Sequence, residues 1–358
     1  MKPGLILLFG CLIPFLGRGQ SALDRGDRHI ARLDYQRAVQ VFEQALEKEY
    51  QDELALRLGF VYWQIGQADK ARYWYRQAIR SEVAKAIDFL RFAQLLARAN
   101  NCSEAEDWYA RYLEASPFDQ RAKQLQDLCA YQDSLRAKNF GFFDLQPAGI
   151  NSVYADRTAF FTSEGLWFAS ERPFTTPLEQ VQAQNNQPFA DLYWVPFSKN
   201  GSPTWPLDPQ LDAPVRASSS LNSPLHESNP SWCPSTRELY FTRSARLEGK
   251  ILRDLDGFVP LEIVFAKRNR DDSWEESVSL PFTSSAFNFL HPAVHPSGEW
   301  LLFASDLPGG YGGMDLYISQ RTRCGWGIPI NLGPSINTEG QELFPTWWPA
   351  DVISFASD

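Results

Sequence analysis

The chain has 358 residues, 44% of them hydrophobic, and a formal net charge of −9. This length and apolar content are sufficient for two domains with separate cores, and they exclude a disordered chain. The acidic balance, with an isoelectric point near 5.1, provides no general basic field, so neither nucleic acid nor an anionic membrane surface is expected as a partner.

The N-terminus has the pattern of a secretory signal peptide. An apolar run from Leu5 to Leu16 follows a lysine and is followed by the small residues Gly17 and Gly19. Because the run is too short to span a bilayer comfortably, we expect cleavage after Gly19 and export of the mature chain. A lipoprotein signal, with Cys11 as the lipidated residue, is the alternative.

Export would place the other cysteines in an oxidising compartment, where disulfides form. Cys102 and Cys129 lie in one predicted helical region and could pair, and buried free thiols are the alternative. Together with Cys233 and Cys324 they match no zinc signature, so no metal is predicted from their spacing.

A period close to 34 residues runs through residues 22–117 and predicts three helix hairpins. The repeated small residues, 33 and 34 positions apart, are Ala38, Ala71 and Ala105. An aromatic follows each of them, and these aromatics are Phe42, Tyr75 and Tyr109. Gly59 and Tyr62 supply a small residue and an aromatic in the first helix of the second hairpin, and Pro117 closes the third. Small residues are expected where the two helices of a hairpin touch.

This pattern resembles the tetratricopeptide repeat family over three repeats, with Leu125 to Ala137 as a capping helix. The first repeat departs from the family, because His29 stands where an aromatic is expected. The resemblance implies an α-helical solenoid domain over residues 20–138, whose groove binds peptides or partner proteins. The repeated aromatics are expected to be core residues, so binding would depend on polar groove residues.

After about Asn139 the helical spacing ends, and short strand patterns recur between turn signals. The repeated stretches are "LWFASER" at 166–172, "LYFTRS" at 239–244, "LLFASD" at 301–306 and "ISFASD" at 353–358. Proline-marked strands precede three of them, one of which contains Pro292, and further short strands follow. Residues 139–358 therefore predict a partial antiparallel β-propeller of about three blades and the start of a fourth.

The third of these repeats holds a glycine-rich turn between Asp306 and Asp315. Its glycines are Gly309, Gly310, Gly312 and Gly313. A phosphate loop would continue into a helix and usually carry a lysine, and a calcium loop would carry a regular series of ligands; this stretch has neither. We expect the glycines to form a tight turn and the two aspartates to accept hydrogen bonds from its amides.

The stretch "HPAVHPSGEWLLFASDLPGGYGGMDLYIS" with "INTEG" after it resembles the WD40-like, TolB-like propeller repeat of exported OmpA-family proteins of the Bacteroidetes. With the signal peptide and the helical repeats, the order of segments resembles the PorE type. That resemblance implies a periplasmic, outer-membrane-associated protein of type IX secretion or of cell-envelope organisation. Ser228, where the family tends to have glycine, is a departure. The family also implies a peptidoglycan-binding domain after the propeller, so we expect the gene product to continue past Asp358, and peptidoglycan anchoring would require that missing domain.

No catalytic constellation is evident in the sequence. His226 with Glu227 could be a proton-transfer pair, although a loop pair at a blade entrance is favoured. His291 with His295 could be a metal pair, but no third ligand is evident, and the first position of a blade motif explains His291. We therefore expect a non-catalytic scaffold without cofactor or metal, which binds protein partners of the cell envelope or secretion machinery. The alternative is the recognition half of an exported peptidase or carbohydrate-processing enzyme.

Overall fold

The structure is a computed structural model that describes residues 17–119, 121–127, 134, 138, 147–174, 181–197, 213–247, 250–254, 257–348 and 352–357. Helices come first and several antiparallel sheets follow, so the expected combination of helices and antiparallel strands is confirmed. The chain divides into two compact units. The helical unit is Met1–Asp144 with Gln182–Asn186, and the sheet unit is Leu145–Val181 with Gln187–Asp358.

Three consecutive helix pairs build the described part of the helical unit. The helices are α1 (Gly17–Ala31), α2 (Tyr35–Leu46), α3 (Asp52–Gln64), α4 (Ala68–Ala78), α5 (Ala86–Arg98) and α6 (Cys102–Ala115). Each odd-numbered helix packs against the helix that follows it, and α3 also contacts α5. Residues 121–127 are helical as well, whereas most of the predicted capping helix lies outside the described residues.

The same turn joins the two helices of every pair. Leu33, Gly66 and Asn100 occupy equivalent positions and have φ values of 56°, 74° and 62°. The next residue donates its N–H to a carbonyl five positions back, as Gln67 does to Tyr62 at 2.9 Å. This is the helix-ending geometry that glycine and asparagine adopt most readily, so Gly66 and Asn100 favour the end of α3 and of α5, whereas Leu33 adopts the same geometry without that preference.

Short antiparallel strands make up the sheet unit. Their bounds are β1 (Asp156–Phe161), β2 (Gly165–Ser170), β3 (Asp191–Pro196), β4 (Val215–Arg216), β5 (Glu227–Cys233), β6 (Glu238–Ser244), β7 (Arg246–Leu247), β8 (Lys250–Ile251), β9 (Leu261–Lys267), β10 (Val278–Ser279), β11 (Phe289–Val294), β12 (Trp300–Ser305), β13 (Asp315–Thr322), β14 (Gly325–Trp326), β15 (Ile330–Asn331), β16 (Glu342–Trp348) and β17 (Val352–Ser357).

These strands pair in chain order into consecutive sheets. The sheets are β1-β2-β3-β4, then β5-β6-β9-β10, then β11-β12-β13 with β14 and β15, and then β16-β17, while β7 and β8 form a small hairpin. The first strand of each later sheet packs against the sheet before it. Alternating apolar side chains fill the layer between sheets, as Trp167 of β2 and Phe241 of β6 do in one cluster.

The first strand of all four sheets contains a bulge at the same place. The pairing register shifts after Arg157, Ser228, Leu290 and Leu343. The residue that follows each shift has a left-handed backbone: Thr158, Asn229, His291 and Phe344, with φ between 53° and 57°. Such a conformation is costly for a threonine or a phenylalanine, so the surrounding sheet pairing must hold it in place.

A short asparagine motif links the second sheet to the first and the fourth sheet to the third. Asn222 accepts a hydrogen bond from the Leu192 N–H in β3 at 2.8 Å and donates one to the Leu192 carbonyl at 3.1 Å. Asn337 makes the same two bonds, at the same two distances, with Leu316 in β13. These asparagines therefore complete the backbone pairing of a buried strand in the neighbouring sheet.

Candidate functional site

The repeated residues of the helical unit lie in its core. The buried set is Ala38, Phe42, Gly59, Tyr62, Ala71, Tyr75, Ala105 and Tyr109, whereas Pro117 is exposed after α6. A Cβ atom on Gly59 would lie 3.1 Å from the Tyr75 ring, and one on Gly26 would lie 2.1 Å from the Phe42 ring. From the sequence we did not identify Gly26 as a residue that packs against Phe42, although its position 33 residues before Gly59 was a signal for that role.

The first helices of the three pairs share a surface that we call the first-helix face, defined by Asp27, Arg57, Phe60, Trp63 and Arg91. Arg57 of α3 forms an ion pair with Asp27 of α1, with a distance of 3.0 Å between its Nε and Oδ1. The Arg91 guanidinium of α5 lies 4.5 Å from the centre of the Phe60 ring and 5.5 Å from that of Trp63. Contacts between side chains therefore connect α1 with α3 and α3 with α5.

This face has the chemistry of a protein-binding surface. Arginine and large aromatic side chains are the residues that contribute most to protein interfaces. The cation–π contact also holds the Arg91 side chain in place before any partner arrives, which reduces the entropy cost of binding. Because Phe60, Trp63 and Arg91 are each partly exposed, their side chains remain accessible to a partner.

The glycine-rich turn packs against the segment that leads into β16. Asp315 accepts hydrogen bonds from the turn amides of Tyr311 at 2.7 Å and Gly312 at 3.1 Å. A Cβ atom on Gly312 would lie 2.3 Å from the carbonyl oxygen of Gly340, so only glycine allows this approach. Asp306 instead accepts hydrogen bonds from the backbone and side-chain amides of Asn288.

The other turn glycines differ in their surroundings. Gly309 has a φ of 88°, and a side chain on Gly310 would meet the Asp315 carboxylate. Gly313 donates its N–H to the Gly340 carbonyl at 2.8 Å. The turn thus joins two successive sheets as well as two strands.

The four bulges surround a cavity of about 250 Å³ in the sheet unit, which we call the bulge cavity. Its lining consists of residues 158–160, 229–232, 291–294, 296 and 344–347. Pro292, singled out in the sequence as part of a blade motif, is one of the buried lining residues. None of these lining side chains is an aspartate, glutamate, lysine or arginine.

His291 is held rigidly at this cavity. Its Nδ1 accepts a hydrogen bond from the Phe344 N–H at 3.2 Å, and its ring stacks on the Phe344 ring with centroids 3.9 Å apart. Burial lowers the pKa of His291 to about 4, so the imidazole is neutral at physiological pH. Since Nδ1 is the acceptor, the single ring proton is on Nε2.

The histidine pairs considered in the sequence do not act together. His226 accepts the Ala190 N–H on Nδ1 at 3.1 Å, and Glu227 accepts the Ser223 N–H at 2.9 Å. His295 contacts the Ser297 hydroxyl and the Trp347 ring, whereas His291 contacts Phe344. In the described part of the chain, no group of three or more His, Cys, Asp and Glu side chains is arranged to hold a metal ion.

Two observations concern the expected export. Cys102 is disulfide-bonded, and its expected partner, Cys129, lies outside the described residues. Cys233 and Cys324 are free. The predicted apolar signal segment also lies outside the described residues, apart from its last positions at the start of α1. Within the described ranges, every helix is too short or too polar to cross a bilayer.

Comparison with known proteins does not assign the chain to a family. No protein-family model matches the sequence, and no curated protein matches it. The functional argument therefore depends on the residues and contacts described above.

Proposed function

We propose that this protein is a non-catalytic scaffold of the bacterial cell envelope that binds protein partners through its helical unit. The observation that carries the proposal is the first-helix face, where Arg57, Phe60, Trp63 and Arg91 lie side by side on α3 and α5. Arginine and aromatic side chains in contact with each other are typical of interface residues that dominate binding energy.

The finer fold that we propose is a tetratricopeptide solenoid followed by a WD40-like, TolB-like propeller. Its support is the internal repetition: the same turn at Leu33, Gly66 and Asn100, and the same bulge in the first strand of four sheets. Solenoids and propellers both present extended surfaces built from repeated units, and both commonly serve in binding.

The proposed setting is the periplasm, at the outer membrane, in type IX secretion or in cell-envelope organisation. Two features support it: the signal-peptide pattern in the sequence, and the disulfide at Cys102, since such bonds persist in oxidising compartments. The resemblance to exported OmpA-family proteins suggests which machinery the partners belong to.

Charge reversal on the first-helix face tests the proposal. Arg57→Glu and Arg91→Glu should each reduce capture of the partner from a Bacteroidetes cell-envelope extract by about tenfold or more, because an interface arginine contributes 1.4 kcal/mol or more. The measurement is quantitative mass spectrometry of proteins retained by the immobilised full chain. Arg37→Glu, an exposed arginine on α2, is the matched control and should leave capture unchanged.

The result must be separated from unfolding and from enzymatic activity. Thermal melts followed by circular dichroism measure whether both variants keep the helical unit folded, which matters most for Arg91→Glu because Arg91 also pairs with the buried Asp88 at 3.7 Å. Equal capture by the wild-type chain and both variants would refute the assigned face. Turnover of peptide or glycoside substrates by the wild-type chain would favour the enzyme alternative.

A further inference from the structure

The bulge cavity is a second candidate site, and its uncharged walls combine aromatic rings with polar side chains. Phe160, Trp232, Phe344 and Trp347 contribute aromatic rings, and Pro292 contributes a buried pyrrolidine ring. Its volume of about 250 Å³ is below the range of about 300–1,000 Å³ in which pockets enclose whole drug-sized ligands. A site of this size fits a few side chains of a longer molecule.

Backbone strain is concentrated around this cavity. Thr158, Asn229, His291 and Phe344 all have positive φ, and all four line the cavity. Such backbone conformations are strained for residues other than glycine, and strained positions cluster at ligand sites. Hydrogen bonds between sheets hold them, as when Thr158 accepts the Asn229 N–H at 3.2 Å and Thr242 accepts the His291 N–H at 2.9 Å.

Two residues that line the cavity, His291 and Asn229, each carry a water-accessible hydrogen-bond donor with no acceptor among the described residues. The first donor is Nε2–H of His291, because Nδ1 is already the acceptor for Phe344. The second donor is the side-chain N–H₂ of Asn229, whose oxygen accepts the Ser228 hydroxyl at 2.8 Å. A ligand with acceptors suits these two donors, and an uncharged ligand suits a lining without charged side chains, since an ion would lose hydration without gaining a counter-charge.

We propose that the bulge cavity binds an uncharged, proline-containing segment of a partner protein in the polyproline II conformation. Such a segment has no internal hydrogen bonds, so its carbonyls can accept from His291 and Asn229. Its pyrrolidine rings pack against aromatic walls, the mode by which other aromatic-lined grooves bind proline-rich segments. The inference deepens the proposed scaffold function, on which it rests for the presence of a partner, but it uses a surface of the sheet unit.

Two neighbouring tryptophans provide a matched pair for the test. Trp347 lines the cavity, whereas Trp348 is 57% exposed and does not line it. The probe is the blocked peptide acetyl-Pro-Pro-Ala-Pro-Pro-amide, and acetyl-Gly-Ser-Gly-Ser-Gly-amide is the comparison. Calorimetric titration of the full chain should give at least tenfold weaker binding for the second peptide.

The variants should separate ring packing from hydrogen bonding. Trp347→Ala should weaken binding of the proline peptide about tenfold or more, and Trp348→Ala should leave it unchanged. His291→Asn, which suits the left-handed backbone, should weaken binding about five- to tenfold by removing the imidazole donor. Trp347→Phe keeps an aromatic wall, so retention of at least a third of the affinity is expected even if Trp347→Ala proves unstable.

Three results would overturn the inference: equal affinity for the two peptides, no binding of either, or equal loss of affinity in Trp347→Ala and Trp348→Ala. Arg91→Glu distinguishes this site from the first-helix face, because it should leave the affinity for the proline peptide unchanged. Loss of peptide binding in Arg91→Glu would count against a separate site. Failure of the peptide test alone would leave partner capture by the first-helix face intact.

Discussion

Glu227 differs from the acidic residues at equivalent positions in the other sheets. Asp156 accepts the Ser170 hydroxyl at 2.6 Å, and Glu342 accepts the Ser357 hydroxyl at 2.8 Å. In the second sheet Arg243 replaces that serine and pairs with Glu262 at 2.9 Å. Glu227 and Glu342 are both fully buried, but the Oε1 atom of Glu227 has no partner in the described part of the chain.

These surroundings raise the pKa of Glu227 and lower that of Asp156. Burial, with a smaller contribution from Asp191, raises the pKa of Glu227 to about 8, and the Ser223 hydrogen bonds and Arg243 oppose the rise only partly. Burial also opposes ionisation of Asp156, but hydrogen bonds from Ser170, Arg172 and Ser152 outweigh it and lower its pKa. Burial that hydrogen bonds offset only partly thus leaves a mostly neutral carboxyl at Glu227 at neutral pH.

A pH-dependent stability follows from Glu227. Its pKa is raised on folding, so its stabilising contribution is complete below about pH 4.5 and is lost as pH rises to about 8. The free energy of unfolding of the sheet unit should fall across this window by at most about 1.4 kcal/mol per pH unit. Glu227→Gln should flatten the fall, as measured by urea unfolding between pH 6.5 and 8.

Unfolding measured between pH 6.5 and 8 separates the contribution of Glu227 to stability from that of the histidines. Burial lowers the pKa values of His226 and His291 to about 4, so their contribution to stability changes mainly between pH 4 and 6.5. An unchanged slope above pH 6.5 in Glu227→Gln would contradict the assignment.

At the level of strands and turns, the asparagine motif explains how successive sheets stay in register. The motif occurs as Ile150-Asn151-Ser152, Leu221-Asn222-Ser223 and Ile336-Asn337-Thr338. In the last two copies the asparagine binds both backbone groups of a buried leucine in the sheet before. From the sequence we identified only the copy in "INTEG", and we did not predict its bonds, because the partner strand is about 20 to 30 residues away.

We call the pair of hydrogen bonds from the asparagine side chain to one leucine backbone the asparagine clamp. Removal of one clamp should destabilise the sheet unit. Asn337→Ala leaves the Leu316 N–H and carbonyl without these partners in the interior, which should lower the free energy of unfolding by about 2–4 kcal/mol. Asn151→Ala is the matched control, because Asn151 is exposed and its side chain has no hydrogen bond among the described residues. This variant should change the free energy of unfolding by no more than about 0.5 kcal/mol. Chemical denaturation of both variants provides the measurement, and equal stability would refute the clamp.

For the molecule as a whole, the disulfide at Cys102 connects stability with the compartment. A disulfide restricts the unfolded chain, and its loss typically costs about 2–4 kcal/mol. In a reducing compartment this contribution would be absent, so the helical unit should be most stable in an oxidising one.

Cys102→Ser should therefore lower the free energy of unfolding of the helical unit by about 2–4 kcal/mol, measured by far-ultraviolet circular dichroism in denaturant. Cys324→Ser, which removes an exposed free thiol, should change it by no more than about 0.5 kcal/mol. Alkylation of the denatured, unreduced chain followed by peptide mapping should label Cys233 and Cys324. A labelled Cys102 would contradict the bond, and the cross-linked peptide would identify its partner.

The amino-acid sequence by itself determined the types of element and most of the buried repeat residues. Ala38, Ala71 and Ala105 recur at a helical-repeat period, and "LWFASER" recurs as a strand, because helix and strand periodicities are local properties that need no knowledge of distant contacts. The helices and antiparallel strands follow from these patterns. The finer assignment to solenoid and propeller stays a prediction.

Only the tertiary structure decided which of these residues form sites. Arg91 meets Phe60 and Trp63 across two helices, and His291 meets Phe344 across two sheets, over 28 to 53 positions of sequence. The lack of a partner for Glu227 Oε1 among the described residues likewise depends on the direction that Arg243 takes in the folded sheet. Such properties arise from the approach of side chains that are distant in the chain, and periodicity carries no information about that approach.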